Sequence, residues 1–539
     1  MTILPRRTHL PRRLVSGLLG AATVLSLLSA ATAAPVHGGA IVVGTKDSPG
    51  CLDPRQVGFG VTVRVPYYVT DRLLDLDLGT QAVVGNLAES WEANEDSTKF
   101  TFKLKPGVTF SDGTTLDAQI VKANIDTLVA SPTASPNSRQ YLRSFTSVEA
   151  PDALTIVFNF ETPRADFPRA TTNEELSIFS QAWLDQDEAT RCITALGSGP
   201  YVLEGFQRES GWTLVRREDY GWVAPHSGHE PGPFLDSLTF KVIPELGVRV
   251  NALVAGQLQV ITHVEADSEP LLVANGANVF GGESSGLVWN LTANINRPPL
   301  DEQAVRLAAA YAVNLEEIAV GALNASWQEI ATGVLTRDAL GYVNFTDRLV
   351  HDPDGARALL DEAGWVPGPD GIRQRNGTPL AVDLPYARED QVVLLVQQQL
   401  RAVGIDVRLR KVAQAERNKI TAAGEYSYYF HARSGTQAAA ALAQAFSSRY
   451  ANYIGGGSAG LNADRLVEVD ALADALVNAP NEETAVTVSG ELQTLLLDEG
   501  YVVPLWPYSE GYATLQQVKG AYLVHTGSIL SLRDAWLEN

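Results

Sequence analysis

Cysteine is nearly absent: Cys51 and Cys192 are the two in a chain of 539 residues. So few exclude a disulfide-dense scaffold and any cysteine-rich zinc or iron–sulfur module. With 8 histidines and 1 methionine the chain is not metal-enriched either. Basic charge is also short, 41 Lys+Arg against 62 Asp+Glu, for a net charge of −21. That balance argues against nucleic acid, whose phosphates need a cationic surface. Beyond the first thirty-odd residues no stretch approaches the ~18 uninterrupted apolar residues of a membrane span. What remains is globular: 45% hydrophobic, 19% charged, with mean hydropathy −0.03. This is too apolar for disorder and too polar for a multi-span membrane protein. The length allows about three to five domain-sized units.

The beginning of the chain has the pattern of an export signal. Arg6, Arg7, Arg12 and Arg13 precede an apolar run from Leu14 to Leu28, and Ala31-Thr32-Ala33 supplies small residues for cleavage. This predicts a secretory signal peptide over 1–33, removed after about Ala33. Its loss takes the net charge from −21 to −25. Arg12-Arg13 invites twin-arginine export but lacks a clean consensus around it. No cysteine follows the cleavage point, so a lipoprotein anchor is not expected. The mature protein is expected to be soluble, in the periplasm or at the cell exterior. There the two cysteines allow one pairing, Cys51–Cys192, and a structural disulfide is expected. A reactive thiol would need an electropositive partner, and none is obvious.

Periodicity then alternates between strand and helix. Strands are expected at 40–46, 154–160, 201–206, 212–216, 235–244, 380–384, around 405–412 and at 501–506. A hairpin is expected over Thr98–Phe110, turning at Pro106-Gly107. Helices are expected at 67–76, 116–129, 247–255, 304–312, 315–323, 353–363, 391–403 and 481–500. Gly364 fits the C-cap of one of them. Interleaved strands and helices with early hairpins predict a two-lobed α/β (α+β) protein.

Several of these segments resemble one family in its order along the chain. Asn86–Asp126 (NLAESWEANEDSTKFTFKLKPGVTFSDGTTLDAQIVKANID) carries a Leu-Ala-Glu-Ser-Trp opening, an alternating stretch and a Phe-x-Asp-Gly-Thr turn before a helix. GSGPYVLEGF (197–206), FKVIPELGVRVNALVAGQLQV, LDEQAVRLAAAYAVNLEEI, DPDGARALLDEAGW and QQQLRAVGIDVRLR follow. Together they are similar to the extracellular solute-binding proteins of the dipeptide, oligopeptide and nickel class (bacterial extracellular solute-binding protein family 5), which feed ABC importers. The resemblance implies a periplasmic-binding-protein-like fold with a ligand cleft between two lobes. The expected organisation is a first lobe over 34–268 with an inserted subdomain at about 60–170, a second lobe over 269–504, and a return to the first over 505–539. It also implies a non-catalytic receptor for a small molecule, partnered by an ABC permease and ATPase complex, meeting the membrane only through that transporter. No cofactor is implied.

Competing motifs are local. Gly282–Gly286 (GESSG) and Gly456–Gly460 (GGSAG) fit G-x-S-x-G, so Ser284 or Ser458 would be the nucleophile of a secreted hydrolase if a strand led in and a helix led out. His226, His229 and Glu230 form H-x-x-H-E, but prolines and glycines around them suggest a loop rather than a metal site.

The candidate ligand residues cluster in a few segments. In peptide-binding relatives the loop matching Glu425–Phe446 carries an aspartate for the peptide amine. Here His431, Arg433, Ser434 and Gln437 stand there, with no acid after Glu425. This puts a free-amine peptide in doubt and favours a carboxylate, phosphate or neutral polar group facing Arg433. Arg388 is a second candidate for a ligand carboxylate, since guanidinium suits bidentate recognition. Lys46 follows the first strand; Trp506 and Tyr508 follow the last, near the expected hinge. Tyr67, Tyr141 and Trp289 are possible aromatic walls. A nickel or metal-chelate ligand is the alternative, with His431 and Arg433 as its nearest candidates but no tryptophan in that loop.

Overall fold

The computed structural model describes residues 35–57, 60–222, 232–387, 391–434, 438–449, 466–524 and 529–538. The signal-peptide expectation falls outside these residues.

The first sheet has seven strands. Their spatial order is Ala277–Glu283, Ser509–Leu515, Val260–Val264, Ala40–Thr45, Ser237–Val242, Gly211–Arg216 and Tyr201–Gln207. Ala40–Thr45 is central and parallel to both neighbours, which buries Ile41 and Val43. Such a strand must be apolar on both faces, hence its β-branched run. Trp212 stacks on Phe240 at 4.7 Å in the core beneath. The Gly-Ser-Gly-Pro turn before Tyr201 lies on the backbone of the preceding helix end. A Cβ at Gly197 would sit 2.1 Å from the Val69 carbonyl oxygen, and one at Gly199 would sit 2.6 Å from the Val69 carbonyl carbon. Only glycine permits that approach.

A second, four-stranded antiparallel sheet orders Ala88–Ala93, Lys99–Leu104, Thr155–Phe160 and Phe145–Asp152. Helix Ala118–Ala130 joins its core, capped by the Asp117 carboxylate, which accepts from the Ile120 amide. The hairpin differs from expectation. It turns at 94–98, where Asn94 Oδ1 accepts from the Thr98 and Lys99 amides. Asparagine's short side chain competes for backbone donors and closes the turn first, so Pro106-Gly107 makes a separate turn after the strand. The helix expected at 67–76 is also shorter. It spans Arg64–Val69, and Leu74–Leu76 is a strand, because Asp71 and Arg72 between them are drawn into buried ion pairs.

A third, antiparallel sheet orders Tyr428–Ser434, Gly286–Ala293 and Val502–Trp506. Beside it, Ala381–Tyr386 and Asp406–Lys411 pair in parallel through the crossover helix Gln391–Ala402. Helices Gln303–Ala312 and Pro353–Glu362 share their apolar core. The chain passes from the first sheet to the third between Glu283 and Gly286 and returns between Trp506 and Ser509. Cys51 and Cys192 form a disulfide across a separation of 141 residues. Among the described residues no helix is long and apolar enough to cross a membrane.

Candidate functional site

Strand Tyr428–Ser434 sorts its side chains by parity. Tyr428 and Phe430 enter the apolar core at 1% and 5% exposure. Tyr429, His431 and Arg433 therefore share the opposite face. Tyr429 stacks on the His431 ring at 4.5 Å, and the Arg417 guanidinium lies 5.4 Å from the Tyr429 ring centre. His431 Nε2 is 2.9 Å from Thr292 Oγ1 on the neighbouring strand. Burial, with Arg417 and Arg433 nearby, lowers His431 to about 3. His431 is therefore a neutral ring at physiological pH, fixed in place. Burial also lowers Arg433, to about 10, against the opposing pull of the Tyr141 and Tyr429 phenols. It stays charged at neutral pH.

Tyr141 comes from the other side, at the end of the short helix Pro136–Tyr141. Its hydroxyl donates to Asn173 Oδ1 at 3.2 Å. Burial raises its pKa; Glu175 and Glu174 push the same way and Arg433 opposes. The phenol thus feels two carboxylates attached to the four-stranded-sheet side and one guanidinium from the third sheet. Behind it lies a buried ionic wall. Arg72 meets Asp75 at 2.6 Å and Glu174 at 3.4 Å. Arg533 meets Asp71 at 3.1 Å and lies 4.8 Å from the Tyr67 ring centre. Trp222 Nε1 donates to Asp71 Oδ2 at 3.1 Å.

The structure therefore brings His431 and Arg433 together and adds Tyr141 across from them. Ser434 continues the strand, paired in register with Gly286. Lys46 is exposed and belongs to a different cluster, with His263 and the Arg64–Glu510 pair. Trp506 is 6% exposed and stacks on Trp289 at 5.7 Å within the third sheet's core. Tyr508, at the return crossing, accepts the Ser284 amide at its carbonyl, 2.7 Å. Arg388, Gln437, Ser458, His226, His229 and Glu230 lie outside the described residues. Ser284 leads from one strand into another with no helix after it, so the nucleophile-elbow geometry is not met. Among the described residues no group of three His, Cys, Asp or Glu side chains could hold a metal ion. Sequence reasoning missed Asn173, Glu174, Glu175, Arg72, Arg417 and Arg533. The one local signal was two adjacent acids ahead of an apolar Leu176 in a stretch without periodicity.

Residues 82–452 match the bacterial extracellular solute-binding proteins, family 5 (middle region). The chain belongs to this family. It is 28% identical over 402 residues to the glutathione-binding protein GsiB of Escherichia coli K12, covering 74% of this chain and 73% of that one. It is 27% identical over 371 residues to the dipeptide-binding protein of the same organism, covering 64% and 67%. In three dimensions it is similar to NikA from Brucella suis in complex with Fe(III)-EDTA, with TM-score 0.80 and 22% identity over 93% of this chain and 100% of that one. DppA from Helicobacter pylori in complex with the peptide STSA gives TM-score 0.73 and 21% identity over 94% and 99%. The fold is that of the two-lobed periplasmic binding proteins. As a family 5 member the protein is a solute-binding component that delivers a small ligand to an ABC permease and ATPase. The relatives are binding proteins, not enzymes, and the family is periplasmic or extracellular.

Proposed function

We propose that this family 5 protein captures a small, polar, peptide-like organic solute between its lobes, with an anionic or neutral polar group of the ligand seated against Arg433. The observation that carries the reading is that Arg433, on the third sheet, lies near enough to Tyr141, on the four-stranded-sheet side, for each to shift the other's pKa. A cation partly withdrawn from water gains most from a ligand oxyanion, through charge-assisted hydrogen bonds. Tyr429 and His431 set the guanidinium's strand face, while Ser434, the next residue on the strand, and Arg388, from the 379–390 segment, are further candidate contacts. The first lobe on this reading runs from about 34 to 283, carries the subdomain of the four-stranded sheet, and resumes after 506. Export by the 1–33 signal, with cleavage near Ala33 and no lipid anchor, completes the proposal. The GsiB and dipeptide-binding relatives support a peptide-like ligand. The metal-chelate alternative draws on the likeness to NikA, but the His431 Nε2 is engaged with Thr292, which favours the organic solute.

Native mass spectrometry of freshly purified protein should reveal a co-purifying small polar molecule. Calorimetry with it should show binding weakened in Arg433→Ala. Unchanged affinity in a folded Arg433→Ala protein would remove Arg433 from the site. Turnover of ester or peptide substrates by the pure protein would overturn the receptor reading itself.

A further inference from the structure

A cavity of about 460 Å³ opens between helix Gln303–Ala312, the C-terminal end of helix Glu482–Asp498, strand Val502–Trp506 and the segment 347–352. None of its lining comes from strand Tyr428–Ser434 or from the four-stranded sheet, so it is separate from the Arg433 site. Val503 and Pro504 line it from the sheet and are buried; Leu307, Ala310 and Leu349 line it and are half-buried. Strand Val502–Trp506 is the edge of the third sheet. Pro504 deprives that edge of an amide donor, which makes it a poor template for another strand. A largely apolar cavity of this size instead suits the body of a small molecule. The charged part of the lining is acidic: Asp347, Asp352 and Asp498 stand with Arg348. Arg348 pairs with Asp498, both exposed to water. Asp352 caps helix Pro353–Glu362, accepting from the Gly355 amide at 2.8 Å. Asp347 is left over; among the described residues its carboxylate meets no donor and no cation. The helix ending at Asp498 brings the negative end of its dipole to the same place, and Tyr311 adds an aromatic ring, which also favours a cation.

We propose that this cavity is a second small-molecule site and that it takes an amphipathic amine. The apolar body lies against Leu307, Ala310, Leu349 and Val503, and the protonated amino group meets Asp347 with Tyr311 beside it. The assignment is independent of Arg433 and of the solute held there. A neutral molecule of the same shape keeps the apolar contacts and loses the charge contact. An anion of that shape meets Asp347 with like charge.

The test is ligand-observed NMR titration of the full chain with three probes that differ only in the head group: 4-phenylbutylamine, 4-phenylbutanol and 4-phenylbutyrate. The wild type should bind the amine with a dissociation constant of about a millimolar or less, the scale for a ligand of this size. The alcohol should bind roughly two- to five-fold more weakly, the worth of one exposed charge pair, and the carboxylate weakest of all. Ala310→Phe places a ring in the cavity and should abolish binding of the amine and the alcohol. Asp347→Asn, at an exposed position, should leave the alcohol unchanged and erase the amine's advantage over it. No binding of the amine to the wild type overturns the proposal, as does equal binding of amine and carboxylate. Amine binding that persists in a folded Ala310→Phe protein places the probe elsewhere and overturns it too. Should Ala310→Phe fail to fold, Asp347→Asn still decides, because an unaltered preference for the amine there overturns the assignment.

Discussion

Lobe closure can be tested at a contact far from the ligand residues. Helices Val467–Val477 and Glu482–Asp498 of the second lobe are joined by a short connection, and the first-lobe subdomain grips it. Arg143 Nη2 donates to the Val477 carbonyl at 2.5 Å and Nη1 to Asn478 Oδ1 at 3.3 Å. Ser97 Oγ donates to the Pro480 carbonyl at 2.7 Å. Arg169 reaches Glu482 at 3.5 Å, but that acid is 58% exposed and the pair adds little. Hydrogen bonds from a charged donor contribute about 1.5–3 kcal/mol, so Arg143→Ala should cost about 2 kcal/mol of closed-state stability. Opening the lobes breaks these contacts, so the closing equilibrium should shift toward open by about thirty-fold. If ligand binds only the closed form tightly, its apparent dissociation constant rises by up to the same factor. Ser97→Ala should do the same more weakly, by about 1 kcal/mol. Calorimetry reads the affinity, and small-angle scattering reads the radius with and without ligand. Arg143→Ala should give a more expanded ligand-free protein that still compacts at saturation. A folded variant with unchanged affinity and an unchanged ligand-free radius would refute the reasoning that this contact biases closure.

Removing the disulfide by Cys51→Ala with Cys192→Ala frees a loop closed across 141 residues; loop-closure entropy gives a loss of about 5 kcal/mol, measured by urea denaturation, and a loss under 1 kcal/mol would contradict it. Glu510→Gln leaves Arg64, paired at 2.6 Å with both side chains at 6% exposure or less, without its counter-ion; stability should fall by about 3–5 kcal/mol, and an unchanged urea midpoint would count against the pair. Burial holds His431 at about 3 in the fold against about 6.5 unfolded. The folded pKa is depressed, so the unfolded chain binds the extra proton. This contribution is complete above pH 6.5 and is lost as pH falls toward 3, at about 1.36 kcal/mol per pH unit. Denaturation of wild type against His431→Gln between pH 7 and 5 should show that difference in slope; equal slopes would mean the ring is not held neutral. Arg433→Ala should weaken the native ligand by about 2–5 kcal/mol without unfolding the protein, and unchanged calorimetric affinity would refute it.

Much of this protein was legible in one dimension because the forces involved are local. Short apolar, β-branched and aromatic runs marked strands such as Thr155–Phe160 and Tyr201–Gln207, and amphipathic spacing marked helices such as Gln391–Ala402. The ordered signature segments led to the family, and two cysteines left one pairing. The 425–446 segment, read as a loop, is instead the strand Tyr428–Ser434 followed by the helix Ala438–Phe446, and only that strand's parity sets Arg433 on the face opposite Phe430. Local chemistry misled where a nearer competitor won, as when Asn94 closed the hairpin before Pro106-Gly107. What tertiary structure alone decided is which distant charges meet. Arg533 bonds Asp71 across 462 residues, and Ser97 reaches Pro480 across 383. A sequence carries no periodic trace of such pairings. They arise when distant segments fold against one another, so that burial rather than neighbourhood selects each partner.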